Sequence, residues 1–161
     1  MKVLGCDPGT HKMGWGYIEG DRRACSLFRF GVIKPLSKRS LPDRLAHIYD
    51  ELGALCVRFK PQVIVCEDPF LAKDMRAAMN IGRAWAMAAL AASKNSIVFS
   101  TYSPLEIKKS TTGYGRASKE QVSGQIKRLL GTKEDIPEDA TDALACAFCY
   151  ITDMRNYKFS G

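Results

Sequence analysis

Four acids in this sequence stand where acids are disfavoured. Asp7 closes the apolar run Val3-Leu4-Gly5-Cys6, and Glu67 closes a second one, Val63-Ile64-Val65-Cys66. Asp139 and Asp142 are three residues apart, a spacing that sets both on one face of a helix. That face continues through Cys146 and Cys149, so a doubly acidic end leads into an end that packs inward. Such a stripe reads as the rim of a core rather than as a solvated face. Four carboxylates converging at strand ends repel one another unless cations stand between them. Oxygen-only sites of this kind hold Mg²⁺ or Mn²⁺ rather than zinc. Two such ions about 4 Å apart are the usual clamp for in-line attack of water on a phosphodiester. The plainer alternative is four unconnected acids, each a cap or a surface group.

Positioning these acids falls to a short list of elements. Residues 2–7 read as a buried strand that ends in a turn at Pro8-Gly9, and 13–19 and about 25–34 as two more strands. Short connections make these three an antiparallel meander. Leu41, Leu45, Ile48, Tyr49, Leu52, Leu55, Cys56 and Phe59 recur at helical spacing, with Ser40 as cap and Pro42 in the first turn. A fourth strand follows at 63–67. A helix rich in small residues then spans about 74–93, its surface suited either to internal packing or to a dimer interface. A fifth strand is expected at 97–101. Ser103-Pro104-Leu105-Glu106 and Ser118-Lys119-Glu120-Gln121 are capping boxes that each open a helix, the second running to about Leu130. The last helix is expected from near Pro137 to about Arg155. Strands separated by helices imply parallel crossovers, so the fold class is α/β, with a five-stranded mixed sheet of three antiparallel strands and then two parallel ones.

Composition bounds the rest. With 161 residues the chain is expected to be one domain, 1–155, followed by a frayed tail at 156–161. Lys and Arg number 24 against 17 Asp and Glu, a net charge of +7 that suggests a polyanionic partner, nucleic acid before membrane. No apolar run is long enough to span a bilayer, and the N-terminus lacks a signal-peptide pattern, so the expected location is the cytoplasm. The six cysteines read as reduced, mostly buried thiols, because Cys146 and Cys149 have no second pair for zinc.

Three blocks then carry a resemblance: Cys6-Asp7-Pro8-Gly9-Thr10, Cys66-Glu67-Asp68-Pro69-Phe70-Leu71-Ala72-Lys73, and Glu138-Asp139-Ala140-Thr141-Asp142-Ala143-Leu144-Ala145. Together with Ile107-Lys108, the Gly113-Tyr114-Gly115 loop and Ser118–Val122, they resemble RuvC-type Holliday junction resolvases from residue 1 to about 150. The resemblance implies an RNase H-like fold and a homodimer in which each subunit nicks one strand of a four-way junction. It implies that Asp7, Glu67, Asp139 and Asp142 hold two Mg²⁺ per subunit, Mn²⁺ substituting, and that hydrolysis leaves 5′-phosphate ends. Phe70 matches an aromatic that stacks on unpaired bases, a contact worth about 1–3 kcal/mol. Lys108 and Lys119 match basic positions near the DNA backbone, and Lys73, Arg76 and Arg116 are further candidate phosphate contacts. A branch-migration motor of RuvA and RuvB type is the partner implied.

Asp68 and Pro69 depart from the family pattern, adding a carboxylate and a stiffer turn beside Glu67, and Thr141 stands where Ala is commoner. Three alternatives remain at this level. The chemistry could serve flaps or forks instead of four-way junctions. The fold could serve as a non-catalytic nucleic-acid binding module. Asp7-Pro8-Gly9-Thr10 also resembles the phosphate-binding turn of sugar kinases and actin-like ATPases, but those need two such domains.

Overall fold

The computed structural model describes residues 1–68, 74–153 and 155. Strand β1 (Lys2–Asp7) pairs antiparallel with β2 (Met13–Gly20), and β2 pairs antiparallel with β3 (Cys25–Ile33). Along its other side β1 runs parallel to β4 (Val63–Glu67), and β4 runs parallel to β5 (Val98–Tyr102). The sheet order is therefore β3-β2-β1-β4-β5. Helix α1 (Leu41–Phe59) links β3 to β4 and α2 (Met75–Lys94) lies between β4 and β5. Helices α3 (Pro104–Thr112), α4 (Lys119–Leu129) and α5 (Glu138–Thr152) complete the order expected from the sequence. The caps are as read: Ser40 accepts from the Asp43 amide, and Ser103 and Ser118 each close a reciprocal capping box.

Because side chains alternate across a strand, the sheet sorts its apolar residues into two layers. Leu4, Cys6, Met13, Tyr17, Ile64 and Cys66 pack on one face against Ile48 and Leu52 of α1 and Ala84, Ala88, Ala91 and Ala92 of α2. Val3, Ile18, Val63 and Val65 pack on the other against Ile107, Ile126, Leu144 and Cys146. The same alternation puts Asp7 and Glu67 on the face of Val3 and Val63, which is the face covered by α5.

Helix α5 sits directly on β1 and β2 because glycines clear its path. A Cβ at Gly5 would collide with the Ala143 carbonyl oxygen, and one at Gly14 with the carbonyl of Asp139. At Gly16 it would meet the Leu144 side chain. The first turn of α5 is thereby pressed against the strand partner of Asp7, since Asp7 and Gly14 are directly opposed.

Two of the boundaries that differ from expectation have a visible cause. Strand β5 starts at Val98 rather than at residue 97, because the Ile97 amide donates to Ala92 O at the end of α2. Helix α5 stops at Thr152 rather than near Arg155. Asp153 turns extended there, and its carboxylate accepts from the Tyr102 hydroxyl at 2.8 Å and the Arg155 amide at 2.9 Å. The expected tail at 156–161 lies outside the described residues. All six cysteines are free thiols; five are buried and Cys25 is half-buried.

Candidate active site

The site is assembled from two strand ends and one helix start. Cys6 is paired with Cys66 in the parallel ladder, so Asp7 and Glu67 terminate neighbouring strands side by side. Asp7 is pushed up to about 7, chiefly by burial and then by the charges of Asp142, Asp139 and Glu67, with Lys119 pulling the other way. Burial, followed by the charge of Asp142, also raises Glu67 against the pull of Lys108 and Lys119. These shifts mean that the three elements bring the four carboxylates within electrostatic reach of one another.

On α5, Asp139 stands in the first turn and Asp142 one turn on, near the positive end of the helix dipole. Each meets an ammonium group. Lys12 Nζ lies 2.7 Å from Asp139 Oδ2. Lys119 Nζ lies 2.6 Å from Glu138 Oε1 and 3.5 Å from Asp142 Oδ2. Lys119 owes its position to the Ser118–Gln121 capping box, which fixes it as the first residue of α4. Its own pKa is raised, first by the bond to Glu138. Burial raises Asp142 despite the Lys119 contact.

A cleft of about 160 Å³ opens beside the cluster, lined by Glu67, Lys108, Lys119, Ile107, Val122 and Asp142. Lys108 and Lys119 both line this cleft beside Glu67 and Asp142. Arg76 in the first turn of α2 and Arg116 in the α3–α4 loop are exposed. Neither makes a polar contact with the four acids among the described residues. Phe70 and Lys73 lie outside the described residues. Asp68 donates its amide to Tyr102 O at 2.9 Å, and Thr141 is buried, its hydroxyl donating to Pro137 O at 3.1 Å. Sequence reasoning missed Lys12. The residue is 127 positions from Asp139, and its only local signal is its place just after the Asp7-Pro8-Gly9-Thr10 turn.

The donor set fits hard divalent cations. It is oxygen-only, mutually repelling, half-buried and already compensated by two ammonium groups. Among the described residues no three His, Cys, Asp or Glu side chains are drawn together closely enough to hold a metal ion as they stand. The acids are arranged around a cleft, with lysines on two of them.

Comparison with known proteins decides what this arrangement belongs to. The profile of the family described as crossover junction endodeoxyribonuclease RuvC matches residues 3–150. The chain belongs to the RuvC family. It is 37% identical over 155 residues to the RuvC of Lawsonia intracellularis, covering 96% of this chain and 92% of the relative. Against a RuvC of Dehalococcoides mccartyi it is 40% identical over 151 residues, covering 93% and 92%. Thermus thermophilus RuvC, solved in complex with a Holliday junction substrate, superposes with a TM-score of 0.87 at 28% identity, covering 93% of this chain and 92% of that one. The yeast mitochondrial Holliday junction resolvase shares the fold at a TM-score of 0.61 and 16% identity, over 93% of this chain and 77% of that one. The expected RNase H-like fold is thus the fold of this RuvC family member, and the chain is an endodeoxyribonuclease by family.

Proposed function

We propose that this chain resolves four-way DNA junctions by paired, symmetric phosphodiester hydrolysis, leaving 5′-phosphate ends. The observation that carries this reading is the convergence of Asp7, Glu67, Asp139 and Asp142 beside a lysine-lined cleft, in a fold shared with a RuvC bound to a Holliday junction substrate. The four acids would hold two Mg²⁺ per subunit, with Mn²⁺ as substitute. Divalent ions held there would supply Lewis acidity for activating water and for stabilising the leaving 3′ oxygen. Asp7, on the central strand and in electrostatic reach of the other three carboxylates, would be the central acid in holding the ions. Lys119 and Lys108 neutralise charge on the phosphate entering the cleft. Phe70 stacks on bases at the junction centre, and Lys73, Arg76 and Arg116 contact backbone phosphates.

Residues 1–155 act as one nuclease domain with one acid cluster, so cutting two strands takes two chains. The outer face of α2 supports a homodimer. Its buried alanines, 84, 88, 91 and 92, are used internally, which leaves a second stripe outside. In that stripe Met75, Met79 and Leu90 are 77%, 51% and 41% exposed, and Gly82 has open space where a side chain would be. Spacings of four, three and eight residues keep Met75, Met79, Gly82 and Leu90 on one helix face. Among the described residues no helix is long and apolar enough to cross a membrane, and the enzyme acts on DNA in the cytoplasm. A branch-migration motor of RuvA and RuvB type is its protein partner.

Cleavage of a synthetic four-way junction in Mg²⁺, with nicks mapped on all strands, tests the proposal. Paired nicks at symmetric positions are expected. Preferential cutting of a matched flap or fork would overturn the junction assignment while leaving the nuclease chemistry intact.

A further inference from the structure

Lys12 is not part of any motif that the sequence reading singled out, yet it is bonded to one of the four acids. We propose that Lys12 is a built-in counter-cation on Asp139, released when a divalent ion binds the cluster, so that its hold sets the metal concentration the site requires. The inference rests on the four-acid metal site proposed above.

Three observations carry it. First, the Lys12 ammonium is 2.7 Å from Asp139 Oδ2, hydrogen-bonded to an oxygen that an incoming ion needs. Second, the pair is asymmetric. The Lys12 side chain is 58% exposed and that of Asp139 22%, so the ammonium can swing into solvent while the carboxylate stays seated on α5. The tight turn before it fixes the backbone, since a Cβ on Gly9 would collide with Lys12 O, and movement falls to the flexible four-carbon stem. Third, the two lysines of the site are held differently. Lys119 is shared between Asp142 and Glu138, and the Glu138 contact at 2.6 Å survives if a metal takes Asp142. Lys12 is paired with Asp139 alone among the described residues, so displacement frees it completely.

The freed ammonium stays tethered at the rim of the cluster, five residues after Asp7, where the substrate phosphate arrives. Lys12 thus exchanges a carboxylate partner for a phosphate partner as metal and DNA enter. Metal and DNA binding are thereby coupled through one side chain.

Mn²⁺ titration of the DNA-free protein by calorimetry tests the inference. Lys12→Ala should bind Mn²⁺ about two- to fivefold more tightly than wild type, the range expected for loss of one exposed competing ion pair. Lys38→Ala, an equal change in net charge at an exposed position outside the cluster, should leave the affinity unchanged. In parallel, the Lys12 ¹⁵Nζ resonance should move to the position of a solvated ammonium on saturation with Mg²⁺. Equal affinities for wild type and Lys12→Ala, equal effects of the two lysine variants, or an unmoved resonance would each overturn the proposal. Loss of Mn²⁺ binding in Asp7→Asn verifies the site itself. Were wild type and Asp7→Asn to bind alike, the underlying metal-site reading would fail instead.

Discussion

The four acids come as two pairs that differ in their direct partners. Asp139 and Asp142 start a helix, near its positive dipole end, and each has an ammonium within 3.5 Å or less. Asp7 and Glu67 end neighbouring parallel strands, and neither forms an ion pair within 4 Å among the described residues. Burial and the other carboxylates push both upward, Asp7 to about 7. One pair is bonded to ammonium groups; among the described residues the other has lysines in reach but none bonded to it. On the proposed metal site, the strand pair is where an external cation would gain most and the helix pair where it would compete with a lysine.

The strongest way to break this contrast is to remove charge from the strand pair. Asp7→Asn is nearly isosteric and should lower junction cleavage by ~10³-fold or more, the scale of losing several kcal/mol of transition-state stabilisation. Junction binding measured by gel shift should remain, because the lysines are untouched. Cleavage within tenfold of wild type would remove Asp7 from its central role.

The helix pair is attacked best through its seat rather than its charge. Gly14→Ala sets a methyl against the Asp139 carbonyl, so the start of α5 must lift away from β2. The expected cost is about 2–4 kcal/mol, or a fall in Tm of roughly 4–16 °C, together with weaker metal binding. Gly124→Ala, on the open side of α4 with nothing near its Cβ, is the matched control and should cost little or nothing. An unchanged Tm in Gly14→Ala would mean that α5 is not seated on the glycines.

Much of this contrast was legible in the sequence, and the remainder was hidden for a definable reason. Acids that interrupt an apolar run at its end, as Asp7 and Glu67 do, are visible because strand burial makes the interruption costly. The Asp139–Cys149 stripe is visible because a helix has a fixed period. The helix starts at Ser40, Ser103 and Ser118 were also plain, since capping is local chemistry. What did not show is what depends on elements far apart in the chain meeting in space. Gly14 and Gly16 alternate with Met13, Trp15 and Tyr17, a pattern that marks one bare face of β2. Only the fold reveals that α5 fills it. Lys12 is one of 24 basic residues until the turn after β1 swings it onto α5. The stop of α5 at Thr152 depends on Tyr102, a residue of another element that holds Asp153 extended.

The pH dependence is the most diagnostic effect, because its sign differs with and without metal. Asp7 sits at about 7 in the folded chain and near 3.8 when unfolded. Between those values the folded protein holds a proton that the unfolded chain has lost. Stability therefore falls as pH rises through this window and levels off above about 7. Glu67 and Asp142 are shifted in the same direction and add to the trend. Asp21, Glu106 and Asp153 are shifted downward, so their stabilisation is present above the ordinary carboxylate range and does not interfere above about pH 5. In EDTA, the Tm advantage of Asp7→Asn over wild type should accordingly grow from pH 5 to about 7 and then hold constant. Bound metal reverses the slope for wild type, since the ion must displace the Asp7 proton. Mn²⁺ affinity should rise by up to about tenfold per pH unit and flatten near pH 7. A Tm difference independent of pH in EDTA would show that Asp7 ionises as an ordinary surface acid, and the distinction between the strand pair and the helix pair would collapse.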